Sequence, residues 1–241
     1  MKAAELPTFT WLGHAAVRVD LPGGEVAVID PFLTGNPKAP EGADQFERVD
    51  LILVTHAHGD HTADVARLAK QHGSLVVAQY DLCQWFETQG VERTSGMNLG
   101  GTQEVLGLRI SQVRADHSSG FLHDGTVVYG GLASGYVVRL ATGYTFYHAG
   151  DTALFSDMSL IGEIWRPDLA FLPIGDHFTM DPYQAARACR LINVHRVVPI
   201  HWGTFPVLTG TPDALRSALR DHGCSTEVVA LDPGVAWTPG D

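Results

Sequence analysis

Short apolar runs alternate with turn residues along the first part of the chain. Residues 9–12, 15–19 and 26–29 have this pattern, which predicts successive strands. Residues 49–54 are nearly all apolar, which is typical of a strand that is covered on both faces. This predicted strand leads directly into a histidine-rich segment, residues 55–61.

Helical spacing first appears after that segment. In residues 63–71 the apolar side chains recur at helical spacing, and His72-Gly73 predicts the C-terminal cap. Helices and strands then alternate. The other predicted strands are residues 75–78, 105–113 (as one or two strands), 127–140, 144–147, 169–174, 196–200 and 227–231. The other predicted helices are residues 81–89, 155–164, 182–191 and 212–221.

The distribution of these elements bears on the number of domains. Each half of the chain contains both strands and helices, and no linker rich in Pro, Gly or Ser separates them. We therefore expect two sheets packed together with helices outside, in a single domain of residues 1–241. A hydrophobic fraction of 45% and a charged fraction of 18% agree with a packed globular protein rather than a disordered one.

Charge and cysteine content restrict the partners and the compartment. A net charge of −11 repels phosphate backbones, so we expect no nucleic-acid partner. No apolar run reaches the ~18 residues of a membrane span, and residues 1–8 lack the apolar stretch of a secretory signal. Three widely spaced cysteines are typical of a reducing compartment. The sequence therefore predicts a cytoplasmic protein.

The segment after the predicted strand 49–54 carries the densest chemistry. His56, His58, Asp60 and His61 place four potential metal ligands within six residues. Strand alternation puts His56 and His58 on one side of the departing chain, and Asp60 and His61 follow at a turn and helix start. Imidazole with carboxylate suits zinc, manganese, iron or nickel and leaves the metal open. The alternative is a solvated loop with a capping aspartate and incidental histidines.

Three further candidates each follow a predicted strand, where loops hold functional groups on a rigid scaffold. They are His117, Asp151 and His201. Taken singly, each has a structural alternative: His117 as a turn residue, Asp151 as a helix cap, and His201 as a core histidine. Their combination with the histidine-rich segment favours a metal site.

The ordered pattern HxHxDH, then His, then Asp, then His resembles the metallo-β-lactamase superfamily. The chain looks most similar to its bacterial and archaeal metal-dependent hydrolases, which are related to ascorbate-phosphate lactonases and to the phospholipase D that acts on N-acylethanolamine phospholipids. The similarity covers nearly the whole chain. Matching stretches are residues 13–15, 30–37, 56–61, 96–98, 117–119, 148–152, 172–176, 178–180, 201 and 204–206.

The resemblance implies a fold and a set of metal ligands. The fold is a four-layer αββα sandwich with the metals at one edge of the two sheets. The implied centre holds two divalent metal ions, zinc in the first instance, with manganese, nickel or iron as alternatives. One ion is bound by His56, His58 and His117, the other by Asp60, His61 and His201, and Asp151 bridges them.

Other histidines stay open at this stage. His14 is expected at a hairpin turn; in relatives a histidine here lies near the metals, so a substrate-binding or proton-donating role stands beside a turn role. His177 departs from the family, which more often has asparagine there; we favour a loop-filling role over substrate contact. His123, His148 and His195 are interpreted as structural.

These observations lead to one preferred function. Two metals would share a water, lower its pKa toward ~7 and supply a hydroxide that attacks a phosphodiester, lactone or related ester of a small molecule. Asp60 or Asp151 would accept a proton while remaining a ligand, with His14 as a further catalytic candidate. Ser118 and Ser119 lie outside any Gly-x-Ser-x-Gly elbow, which argues against a serine hydrolase. Alternatives are a non-catalytic binding module braced by metal and an iron-dependent redox enzyme; homo-oligomerisation is left open.

Overall fold

The computed structural model describes residues 5–240, which contain sixteen strands and six helices. Met1 to Ala4 and Asp241, which the predicted domain 1–241 includes, lie outside the described residues. The strands are β1 (Thr8–Trp11), β2 (Val17–Asp20), β3 (Val26–Ile29), β4 (Leu51–Leu53), β5 (Leu75–Gln79), β6 (Thr94–Met97), β7 (Thr102–Val105), β8 (Leu108–Arg114), β9 (Phe121–His123), β10 (Thr126–Val128), β11 (Ser134–Arg139), β12 (Thr145–His148), β13 (Leu169–Pro173), β14 (Arg196–Ile200), β15 (Glu227–Val228) and β16 (Ala236–Trp237). The helices are α1 (Gly59–Thr62), α2 (Val65–His72), α3 (Tyr80–Thr88), α4 (Met158–Trp165), α5 (Pro182–Ile192) and α6 (Pro212–Asp221). Within this described part, no helix has the length and apolar character needed to cross a membrane.

The chain forms two compact units, each built from separate stretches of sequence. Unit 1 comprises Met1–Leu99, Ser118–Ala133 and Leu231–Asp241, and unit 2 comprises Gly100–His117 and Ser134–Ala230. Each unit contains its own seven-stranded sheet and its own apolar core. The expectation of a single domain stays a prediction.

Unit 1 is a mixed sheet with the order β16-β1-β2-β3-β4-β5-β6. The pairs from β16 to β3 are antiparallel and those from β3 to β6 are parallel. Apolar side chains of α2 and α3, such as Leu68 and Phe86, pack with Ile52 and Val76 of the sheet. Parallel strands end at the same edge of a sheet, so the loops that follow β3 and β4 emerge side by side.

Unit 2 repeats this arrangement with the order β15-β14-β13-β12-β11-β8-β7. Strands β12 to β15 pair in parallel, whereas β7, β8, β11 and β12 pair antiparallel. The core contains Met158 of α4, Cys189 of α5 and Leu215 of α6 packed with sheet residues such as Tyr147. The carboxyl ends of β12, β13 and β14 therefore lie next to one another.

One predicted strand, residues 127–140, is wrong as a single element. Strand β10 ends at Val128 and pairs with β9, and β11 begins only at Ser134 in the unit 2 sheet. Gly130 and Gly131 lie between the two strands, and the φ of 81° at Gly131 is outside the strand region of backbone conformation. A Cβ would collide with Ala57 at Gly130 and with Gln79 at Gly131. Similarly, the helix predicted over residues 155–164 begins later, at Met158.

Candidate metal centre

The segment after β4 folds back on itself so that its histidines converge. His56 Nε2 lies 2.9 Å from His58 Nδ1. Helix α1 begins immediately after His58 and turns the chain, which brings the ring centroid of His61 to 4.1 Å from that of His56. His56 and His61 are buried, and His58 is half-buried.

The buried carboxylate of Asp30 contacts one ring nitrogen of His61. Asp30 Oδ2 lies 2.8 Å from His61 Nδ1, and neither side chain is exposed. Asp30 also accepts hydrogen bonds from the backbone N–H and the hydroxyl of Thr55, at 2.8 and 2.6 Å. A histidine that donates one ring nitrogen to a carboxylate presents the other as a metal ligand. Sequence reasoning missed this role, although Asp30 stands directly after β3 in a stretch already noted for its resemblance.

His14 lies against Asp60 in the same unit. Its Nε2 is 3.1 Å from Asp60 Oδ2, and its fully buried ring is 5.6 Å from that of His61. The predicted hairpin turn is present, since His14 joins β1 to β2. The backbone N–H of Leu12 donates to the Ala16 carbonyl across this turn. One ligand atom each of His14, Asp60 and His61 lies within 4.8 Å of the others.

Unit 2 brings together the three later candidates. Asp151 Oδ2 lies 3.0 Å from His201 Nε2 and 3.7 Å from His117 Nε2. These residues follow β12, β14 and β8, respectively. Asp151 and His201 are almost fully buried, and His117 retains 13% side-chain exposure. Asp151 does not cap a helix, because α4 begins at Met158 after its own N-cap residue.

Backbone strain is concentrated around these residues. Of the non-glycine residues described with positive φ, four lie in turns or at helix C-termini, where this conformation is usual: Leu106, Asp124, Arg166 and Asn193. The others directly follow strands or sit beside the candidate ligands: His14, Asp30, Asp176, His177 and His201. Non-glycine residues in this region cost about 1–3 kcal/mol each and cluster at functional sites.

Three other residues considered in the sequence analysis, Ser118, Ser119 and His148, differ in their contacts. Ser118 Oγ lies 3.3 Å from His58 Nε2, whereas Ser119 joins two backbone groups, accepting from Ala57 N–H at 3.1 Å and donating to the Gly130 carbonyl at 3.0 Å. His148 is buried and its Nδ1 accepts from Gly150 N–H at 3.2 Å. That contact agrees with a structural role for His148.

The donor chemistry of both units fits a divalent transition metal. Unit 1 supplies three imidazoles and the Asp60 carboxylate, and unit 2 supplies two imidazoles around the Asp151 carboxylate. Mixed nitrogen and carboxylate donors suit zinc and its neighbours in the first transition row. No thiol lies among these donors, since Cys83, Cys189 and Cys224 are elsewhere in the described chain.

Comparisons with known proteins place the chain in a family. The β-lactamase superfamily domain matches residues 27–202. A UPF0173 metal-dependent hydrolase of Solibacter usitatus is 48% identical over 230 residues, which are 95% of this chain and 99% of the relative. Another, of Rubrobacter xylanophilus, is 47% identical over 226 residues, or 93% of each chain.

A solved structure agrees over the full length. Igni18, a metallo hydrolase from the hyperthermophilic archaeon Ignicoccus hospitalis, matches with a TM-score of 0.85 and 32% identity, covering 98% of this chain and 99% of that one. The chain therefore belongs to the β-lactamase superfamily and has its α/β sandwich fold, which confirms the fold class expected from the sequence. Within the superfamily it belongs to the UPF0173 metal-dependent hydrolases.

Proposed function

We propose that this protein is a dinuclear metal-dependent hydrolase that cleaves a phosphodiester, lactone or related ester of a small molecule. The observation that carries the proposal is the position of Asp151, whose carboxylate lies between His117 and His201 at 3.7 and 3.0 Å. A carboxylate in this position can bridge two cations. Membership of the metal-dependent hydrolase family supports hydrolysis as the reaction.

The proposed ligand sets follow the superfamily pattern. His56, His58 and His117 would hold one ion, Asp60, His61 and His201 would hold the other, and Asp151 would contribute to both. Zinc is our first choice, and manganese, nickel and iron share its preference for this donor set. Two such ions would supply activation of a water, whose pKa they would lower toward ~7, and polarisation of the oxygen of the scissile ester.

The chain's own residues orient the ligands and handle protons. Asp30 fixes the His61 ring through the 2.8 Å contact at Nδ1, so that Nε2 is the ligand atom. Asp60 accepts a proton, and the 3.1 Å distance from its Oδ2 to His14 Nε2 allows that proton to pass between them. His14 is fully buried, whereas the Asp60 side chain is 32% exposed, so solvent reaches this pair at Asp60. Asp151 is the second proton acceptor of the proposal.

Metal analysis combined with hydrolysis assays tests this function. The purified protein is expected to contain about two metals per chain and to hydrolyse bis-p-nitrophenyl phosphate or a member of a lactone panel. Asp151→Ala and His61→Ala should abolish hydrolysis, whereas His123→Ala, which removes an exposed imidazole in edge-on contact with Trp85, should not. Metal-replete protein that is silent on every ester would overturn the proposal.

A cytoplasmic site of action is also part of the proposal. All three cysteines are thiols, and Cys83 and Cys189 are buried among apolar side chains. Buried thiols used as small apolar side chains suit a reducing compartment. Separation of periplasmic from cytoplasmic extracts of the source cells, followed by immunodetection, tests it; recovery in the periplasmic fraction would contradict it.

A further inference from the structure

A tight turn after β13, residues 175–180, stands out within unit 2 by its backbone. Asp176 and His177 are consecutive non-glycine residues in the left-handed region, with φ of 66° and 58°. The turn is closed by hydrogen bonds from Phe178 N–H to the Asp176 carbonyl at 2.6 Å and from Asp176 N–H to the Met180 carbonyl at 3.0 Å. Such strain persists only where the surroundings fix it.

The turn is fixed on the segments that carry the unit 2 metal-ligand candidates. Met180 N–H donates to the carbonyl of Thr152, the residue after Asp151, at 3.2 Å. On the other side, Gly175 lies so close to the carbonyl of His201 that any side chain at this position would collide with it. The turn therefore sits directly beside two of the three ligand-bearing loops of unit 2, those of Asp151 and His201.

Two exposed aromatic rings at the apex of this turn suggest a role in binding. His177 and Phe178 are exposed, Phe178 by 55%, and their ring centroids lie 4.4 Å apart at an interplanar angle of 89°. The core of unit 2 does not include either ring. Chain geometry allows at most about 7 Å between the Cα atoms of Gly175 and His177, so the rings stand within one small-molecule length of His201.

From these contacts we infer that His177 and Phe178 determine specificity by holding a planar aromatic or heteroaromatic group of the substrate next to the scissile bond. This inference rests on the proposed function. An edge-to-face pair leaves ring faces and edges open for a further ring, which prefers offset-stacked or edge-on contact. A strained turn that holds the pair rigid reduces the entropy lost when the substrate binds.

Binding of two small phosphonates to the metal-loaded protein tests the inference without turnover. Phenylphosphonate and methylphosphonate share the anionic head and differ only in the ring. Titration calorimetry should show about tenfold tighter binding of phenylphosphonate, equivalent to 1.4 kcal/mol. In Phe178→Ala this preference should fall below about threefold, with methylphosphonate affinity unchanged.

Two further variants separate specificity from structure. Tyr183→Ala removes another exposed aromatic side chain of unit 2, 56% exposed on α5, and should keep the full preference. In His177→Asn an amide replaces the ring, and Asn adopts positive φ more readily than most residues. We expect this variant to melt at the same or a higher temperature but to lose part of the phenyl preference. An unchanged preference in Phe178→Ala, or none in the wild type, would overturn the inference.

Hydrolysis of the matched esters distinguishes this inference from the proposed function. Ethyl phenylphosphonate and ethyl methylphosphonate have the same leaving group without a ring, and phosphorus NMR follows the hydrolysis of both esters, so Phe178→Ala should raise KM for the first and leave the second unaffected. Hydrolysis of both esters without a phenyl preference overturns only the aromatic contact. Phenyl-selective binding without hydrolysis of any ester overturns only the hydrolase.

Discussion

Asp30 and His61 form a buried pair in which Oδ2 of the carboxylate lies 2.8 Å from Nδ1 of the imidazole. The same carboxylate accepts two hydrogen bonds from Thr55, which lies in the loop after β4. Asp30 therefore ties the end of β3 to the histidine-rich segment and sets the orientation of a proposed ligand.

The first prediction concerns this pair. Asp30→Asn keeps the side-chain size but replaces a carboxylate oxygen by an amide, so His61 loses a charged acceptor. We expect metal affinity to fall by about 10–100-fold, as for other partners of ligating histidines. Competition with a chromogenic chelator measures this. Asp213→Asn, which changes an aspartate that is 91% exposed, serves as the control; equal affinities in the two variants would refute the orienting role.

The sequence predicted elements best where local signals coincide with packing. The bounds of α6 were predicted residue for residue, because Thr211 caps the Ala214 N–H and Pro212 stands at the first turn. The small sheet of β9 and β10 was not recognised, because strand β9 is only three residues long and half exposed to exposed. Strand β6 was missed because its pairing with β5 is non-local and its residues Thr94–Met97 lack an apolar pattern.

The residues of the candidate site were likewise predictable where local sequence signals mark them. All of the proposed ligands could be named from the sequence because they directly follow strands or stand in one dense motif. Asp30 could not, because it acts through His61, 31 positions further along the chain, and that contact exists only after β3 and β4 pair. The backbone strain of Asp176 and His177 and the exposure of Phe178 could not be predicted either, since they depend on how the turn packs against its neighbours.

The second prediction is a pH dependence of stability at Asp64. Burial of this carboxyl raises its pKa, but hydrogen bonds from the backbone N–H groups of Thr34 and Leu33, from the Thr34 hydroxyl and from Arg67 outweigh burial and lower the pKa below 3.8. A pKa lowered by folding adds stability above the unfolded-state value, and that stability is lost as the pH falls through the folded-state value.

Asp64→Asn should therefore cost about 1–3 kcal/mol of unfolding free energy at pH 7. The difference from wild type should shrink below the unfolded-state pKa of about 4. Urea melts of chelator-treated protein at pH 7 and pH 3 measure it, since treatment with chelator separates the effect from metal loss. A difference that is the same at both pH values would contradict the assignment to ionised Asp64.

The third prediction uses two glycines with similar backbones. Gly131 and Gly125 have φ of 81° and 75°, but a Cβ on Gly131 would meet the Gln79 side chain, whereas a Cβ on Gly125 meets nothing within 4 Å. Gln79 also accepts a hydrogen bond from Leu132 N–H at 3.0 Å. Gly131→Ala should therefore destabilise the protein by about 1–3 kcal/mol more than Gly125→Ala. Equal urea midpoints for the two variants would contradict this prediction, because the positive φ alone would then account for the loss of stability.

The last prediction separates a catalytic from a structural metal. The apolar cores of the two units consist of side chains such as Ile52, Leu68, Phe171 and Leu215. The proposed ligands lie outside those cores, in loops at the strand ends and in the short helix α1. Folding should therefore survive metal removal, unlike that of domains in which metal replaces a core. Chelator-treated protein is expected to keep its far-ultraviolet circular dichroism and a cooperative, lower melting transition, to lose hydrolysis, and to regain it when zinc or manganese is added. Loss of the cooperative transition on chelation would instead favour a binding module braced by its metal, and recovery with iron alone, together with oxygen consumption, would favour redox chemistry.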